Sequence, residues 1–222
     1  MKSVKHVALL MLIALTFFVQ AAPVHFSFSG TAVDINLFGA QGPVTVGDTF
    51  SGILEVDYSA VDFVQDAMVG HYLNAVNISA KLSSGAVLKA IGGQAIVLAP
   101  VGYLSLGAGT YFGGVVENSS GLPVLPSPLG PYGLSALGLT IPSSSPFASD
   151  SIPQPETIVQ RMLLPNADAD FDFFNDVNDL VRVRYRIDGF NLISTVPEPQ
   201  AYAVMLAGIF LVVAAARRRH RV

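Results

Sequence analysis

Three stretches of the chain alternate apolar and polar residues with a period of two. Val76, Ile78, Ala80 and Leu82 alternate with Asn77, Ser79, Lys81 and Ser83. Phe50, Leu54, Val56 and Tyr58 alternate with Ser51, Glu55 and Asp57, and Val181, Val183, Tyr185 and Ile187 with Arg182, Arg184, Arg186 and Asp188. Successive side chains of a strand point to opposite faces, so each stretch predicts a strand with one buried and one wet face. Weaker alternation over 25–35, 86–101, 111–117, 134–141 and 157–163 predicts further strands. Many short strands between Gly and Pro turns predict a mainly β domain, an antiparallel β-sandwich of jelly-roll-like form. One short helix is expected after Ser59, where Ala60, Phe63, Val64, Ala67 and Met68 recur at helical spacing, Asp62 completes a capping pattern and Gly70 ends it. Long surface loops are expected over 119–156, which hold eight of the fourteen prolines and several serine clusters.

The two ends break this pattern. Lys2 and Lys5 precede an apolar run from Val7 to Val19, followed by Gln20-Ala21-Ala22-Pro23. A basic start, a short apolar core and small residues read as a signal peptide over 1–21, cut by signal peptidase between Ala21 and Ala22. At the other end Val196-Pro197-Glu198-Pro199 precedes a nearly all-apolar run from Ala201 to Ala216, then Arg217, Arg218, Arg219 and Arg221 around His220. Sixteen helical residues reach about 24 Å, and snorkelling arginines with an interfacial Tyr202 extend that toward the ~30 Å hydrocarbon core. This segment predicts a single transmembrane helix. Basic residues stay on the cytoplasmic side, so both ends predict the same topology, with 22–200 across the membrane.

The tail at 196–222 resembles the tripartite PEP-CTERM sorting signal in order, spacing and position. The resemblance implies a Gram-negative bacterium with an exosortase that recognises the motif Val196, Pro197, Glu198 and Pro199, removes the apolar tail, and delivers the domain at 22–195 from the inner membrane to the cell surface or extracellular matrix. Val46 to Gly52 also resembles strand-rich cargo domains of such proteins, diffusely. These residues serve another enzyme and are not an active site of this chain.

Composition sharpens the picture. The 222 residues are 51% hydrophobic and 13% charged, and contain no Cys. That excludes disulfides, thiolate metal sites and Cys nucleophiles. Of the twelve Lys and Arg, two lie at the start and four at the end; the six between them face all sixteen acids, a net charge of −10. So acidic a body disfavours nucleic acid and anionic membrane as partners.

Catalytic motifs are missing. Gly133-Leu134-Ser135-Ala136-Leu137 falls short of a nucleophile elbow at its last position, and His25 and His71 sit in no metal-ligand pair. Asp168, Asp170, Asp172, Asp176 and Asp179 occupy oxygen-ligand positions of a twelve-residue Ca²⁺ loop, but Phe173 stands where glycine belongs and Asp179 where the longer Glu does. The plainer reading is a solvated acidic turn. Arg182, Arg184 and Arg186 share one strand face, as a solvated stripe balanced by the aspartates or as a stripe for carboxylated polysaccharide. The expectation is therefore a non-catalytic surface or matrix protein without a cofactor, associated with exopolysaccharide. The alternatives are a Ca²⁺-dependent lectin-like module, and a secreted glycan hydrolase using scattered carboxylates such as Glu55, Asp57 and Glu117.

Overall fold

The computed structural model describes residues 23–37, 44–64, 66–109, 115–118, 133–142, 145–174, 180–193 and Gly208. The strands are β1 (Val24–Leu37), β2 (Thr49–Val56), β3 (Val69–Leu82), β4 (Val87–Leu98), β5 (Tyr103–Gly109), β6 (Val115–Asn118), β7 (Gly133–Ile141), β8 (Asp168–Phe174) and β9 (Leu180–Ile193). Among the described residues of the barrel unit one α-helix, α1 (Pro155–Met162), precedes β8. The described residues other than Gly208 fall in one unit, Pro23–Ser194.

The mainly β expectation holds, but the sandwich does not. β3 pairs with both β2 and β4, so the sheet closes on itself. Around the ring run β1, β2, β3, β4, β5, β7, β8 and β9, each beside the next in that order and all antiparallel, with β9 returning to β1. This is an eight-stranded up-and-down barrel. The short β6 lies outside the ring order, on the Leu88–Ile91 half of β4, while β5 takes the Gln94–Leu98 half. Closure removes the sheet edges that a sandwich would have to protect.

Bulges let long strands curl. The β1–β9 register slips after Ser29 and after Ala32, and the β3–β4 register slips between Tyr72 and Ile78, where Asn74 takes φ 56° and Gly92 φ 68°. An extra residue on one strand bends it and adds twist, which closure requires.

The inward set of each strand fills the barrel. Phe26, Phe28, Phe50, Phe171, Tyr185 and Phe190 are at most 3% exposed. Phe28 stands opposite Gly52, and Phe50 opposite Gly30. A Cβ at Gly52 would lie 2.5 Å from the Phe28 ring, and one at Gly30 2.5 Å from the Phe50 ring. Each large ring thus lies over a missing side chain, and the two rings meet at 5.4 Å. Eight strands leave an interior just wide enough for side chains, and here aromatic rings occupy it.

Two element assignments need correction. Residues 60–64 and 66–68 form turns and isolated bridges (Asp62 with Tyr72, Asp66 with Val69) instead of a helix. Asp57, Asp62 and Asp66 accept backbone N–H bonds from Ser59, Val64 and Met68, which stabilises turns over a helix start. The helix instead covers most of 157–163, where β-branched Thr157, Ile158 and Val159 suggest a strand. Pro155 at the first turn, Glu156 near the N-terminus and Arg161 near the C-terminus favour the helix, which buries Ile158 and Met162 one turn apart. Among the described residues no helix is long and apolar enough to cross a membrane. The segments 7–19 and 201–216 expected as signal core and membrane helix lie outside them.

Candidate functional site

The outer wall of the barrel carries two contrasting polar surfaces. The first joins the predicted aspartates and arginines. The stretch at 168–174 is strand β8, where the expected acidic turn would have been a loop; Ala169, Phe171 and Phe173 point inward, and Asp168, Asp170 and Asp172 outward. Antiparallel register sets Asp168, Asp170 and Asp172 opposite Arg186, Arg184 and Arg182 of β9.

Asp172 is buried, and Arg182 holds it through two bonds, Nε to Oδ1 at 2.7 Å and Nη2 to Oδ2 at 2.8 Å. Arg184 Nε lies 3.4 Å from Asp168 and 3.7 Å from Asp170. Arg186 turns to Asp188 on its own strand at 2.8 Å, where Thr31 also donates. Those two hydrogen bonds hold the Asp188 carboxyl below its ordinary pKa. From the far side, Asp34 of β1 stands opposite Arg184. Carboxylates outnumber guanidiniums, and Asp170 bears the excess. Its Oδ1 is buried without a hydrogen bond, and burial, reinforced by the charge of Asp168, pushes its pKa up to about 6.

This wall is an interlocked ion-pair ladder. Of the aspartates proposed for Ca²⁺, Asp168, Asp170 and Asp172 are directed at guanidiniums, and among the described residues no group of three or more His, Cys, Asp or Glu side chains is arranged to hold a metal. The three arginines keep about half of their side-chain surface exposed, but each is engaged with carboxylate. Asp176, Asp179, the sorting motif at 196–199, the arginines at 217–219 and 221, and the cleavage residues Ala21 and Ala22 lie outside the described residues.

The second surface was not singled out from the sequence. Across β9, β1, β2, β3 and β4 the outward positions are Asn191 and Gly189, Ser27 and Ser29, Ser51 and Ile53, Ser79 and Lys81, and Val87. Register aligns them: Ser29 faces Gly189 and Ser51, and Ser27 faces Asn191 and Ile53. Small side chains in the middle and longer ones at the margins leave a trough of about 470 Å³. A smaller depression of about 90 Å³ continues it past Ile53 and Ser79 to Glu55, Asn77 and Lys89. There Asn77 donates to Glu55 at 3.0 Å and accepts from the Gly92 N–H at 2.9 Å.

Chemically the trough presents hydroxyls, an amide and one ammonium on a rigid wall. Hydroxyls both donate and accept, as sugar hydroxyls do. The signal in the sequence was the polar phase of the alternation, where serine recurs at 27, 29, 51 and 79. Nothing local shows that three strands set these serines side by side. Of the carboxylates considered for hydrolysis, Glu55 is bound to Asn77 and lies 4.0 Å from His25, while Asp57 accepts from Ser59. No protein-family model matches the chain, and no curated protein or solved structure matches it either.

Proposed function

We propose that this chain is a non-catalytic exported protein of the PEP-CTERM type, sorted by an exosortase to the cell surface or matrix, where the barrel wall meets exopolysaccharide. One observation carries the reading: Val196-Pro197-Glu198-Pro199, an apolar run to Ala216 and four arginines within the last six residues stand in that order beyond the last strand. The barrel suits such cargo, because its interior is taken up by side chains and its polar chemistry is on the outside. The serine trough is the part of that outside whose groups match a polyhydroxylated chain. The arginine stripe, matched with carboxylates of its own sheet, is the less suited surface.

The test is the mass of the mature protein in the host. The surface fraction should contain a chain beginning near Ala22 and lacking residues 201–222. A surface-exposed protein that keeps its arginine tail would overturn the reading. In a host without the sorting enzyme the tail should persist and the protein remain in the inner membrane.

A further inference from the structure

Both ends of the barrel chain leave from one rim. His25 pairs with Ile193, so the first and last strands start and finish side by side. The same rim carries the β2–β3 connection at 57–68, the β4–β5 turn at 99–102 and the segment 142–167 with α1, as the strand register requires. Among the described residues most of the exposed large apolar side chains are on it: Val61 is 82% exposed, Phe63 71% and Met68 60%, with Val101, Leu163, Leu164, Leu192 and Ile193 between 37% and 51%. Of the described residues near the opposite rim, Val46 and Val87 are exposed.

These side chains are held out by built turns. Asp62 accepts the N–H groups of Val64 and His71, Phe63 N–H donates to the His71 carbonyl at 2.7 Å, and Asp66 accepts from Met68. Ala99 N–H donates to the Met68 carbonyl, joining two of the loops. Arg161 ties the third segment to the 99–102 turn, bonding the carbonyls of Ser145 at 2.7 Å and Gly102 at 3.4 Å while stacking on Phe147. Apolar residues spread around one rim and fixed outward are a surface with something to cover.

We infer that this rim rests on the membrane surface while the chain still carries its tail, with Phe63, Val61 and Met68 entering the interface. The inference deepens the proposed function and rests on its membrane tail. The connection at Ile193 belongs to this rim, and the seven residues 194–200 before the apolar run reach no more than about 25 Å. Asp57, Asp62, Asp66, Asp150 and Glu156 lie in the same loops against Arg161 alone, so the surface it fits is zwitterionic lipid and not an anionic leaflet.

The chain contains no Trp, which makes the test direct. Three single variants of the full chain, Phe63→Trp, Val46→Trp and Tyr202→Trp, are placed in phosphatidylcholine bilayers with and without brominated acyl chains. Quenching of Phe63→Trp by at least about twofold, with Val46→Trp unaffected, is the expected result. Quenching of Tyr202→Trp alone would overturn the rim contact and leave the tail reading standing. No quenching of Tyr202→Trp would overturn the tail reading and the rim contact with it. Equal quenching at Phe63 and Val46, or a blue shift at Phe63 without bromine quenching, would also overturn the proposal; the latter would point to contact between protein copies.

Discussion

The β8–β9 wall and the β1–β3 wall have the same inner chemistry and opposite outer chemistry. Inside, Phe171 and Tyr185 of the first pack against Phe50 of the second at 5.0 and 4.6 Å. Outside, the first wall sets Asp172, Asp170 and Asp168 against arginines, and the second sets Ser27, Ser29, Ser51 and Ser79 around a trough. One wall spends its polar groups on itself. The other presents them to whatever lies outside. The period-2 rule fixes which residues face out, but the partner strand decides whether they are satisfied there.

The largest expected contrast comes from removing one partner on each wall. Arg182→Ala would leave the buried Asp172 carboxylate without its two charge-assisted bonds. Breaking a buried pair costs about 3–5 kcal/mol; because Arg182 is about half exposed, with 48% of its side-chain surface open, about 2–3 kcal/mol is expected here. Urea unfolding should show that loss, whereas Ser27→Ala should stay within about 0.5 kcal/mol. Equal effects would erase the distinction between the walls.

That distinction was only partly legible in the sequence. The inward set was: Val181, Val183 and Tyr185 alternate with arginines, and all three are fully buried. Closure was not, because it depends on pairing β1 with β9, some 150 residues apart, and a sandwich strand alternates in the same way as a barrel strand. The aspartates at 168–172 looked like a loop because acidic residues are poor strand formers. Ala169, Phe171 and Phe173 between them supply the apolar phase, and the opposing arginines remove the charge penalty. The serine trough was invisible for a different reason. A polar outward residue is what any strand shows, and only the register across several strands turns four of them into one surface.

A smaller effect sharpens the comparison through pH. Asp170 has its pKa raised to about 6 in the folded protein, from 3.8. A raised carboxyl binds more protons folded than unfolded, so its contribution favours folding fully below the unfolded value and is lost as pH rises through about 6. Asp168 is shifted in the same direction, chiefly by burial. Asp170→Asn mimics the neutral form. It should flatten the fall in stability between pH 4 and 7 and stabilise the protein at pH 7 by on the order of 1–2 kcal/mol, allowing for solvent at a partly exposed site. Thermal melts of both proteins across that range check the sign. A variant less stable than the parent at pH 7 would mean that the attraction of Arg184 and Arg182 outweighs the burial.

The smallest change in stability goes with the sharpest functional test. Ser51→Ala combined with Ser79→Ala removes two hydroxyls from adjacent strands without disturbing an inward residue, so stability should move by no more than about 0.5 kcal/mol. If polysaccharide lies in the trough, each lost hydrogen bond costs about 0.5–1.5 kcal/mol net, and affinity for the host's own exopolysaccharide should fall about tenfold. Arg184→Ala, on the other wall, should leave that affinity unchanged, because its guanidinium serves Asp168 and Asp170. Titration of the immobilised polymer with the three proteins decides between the walls. Binding lost with Arg184 and kept without the serines would reverse their roles: the ladder would open its cations to an acidic polymer, and the trough would be only the shape left by small side chains on a curved sheet.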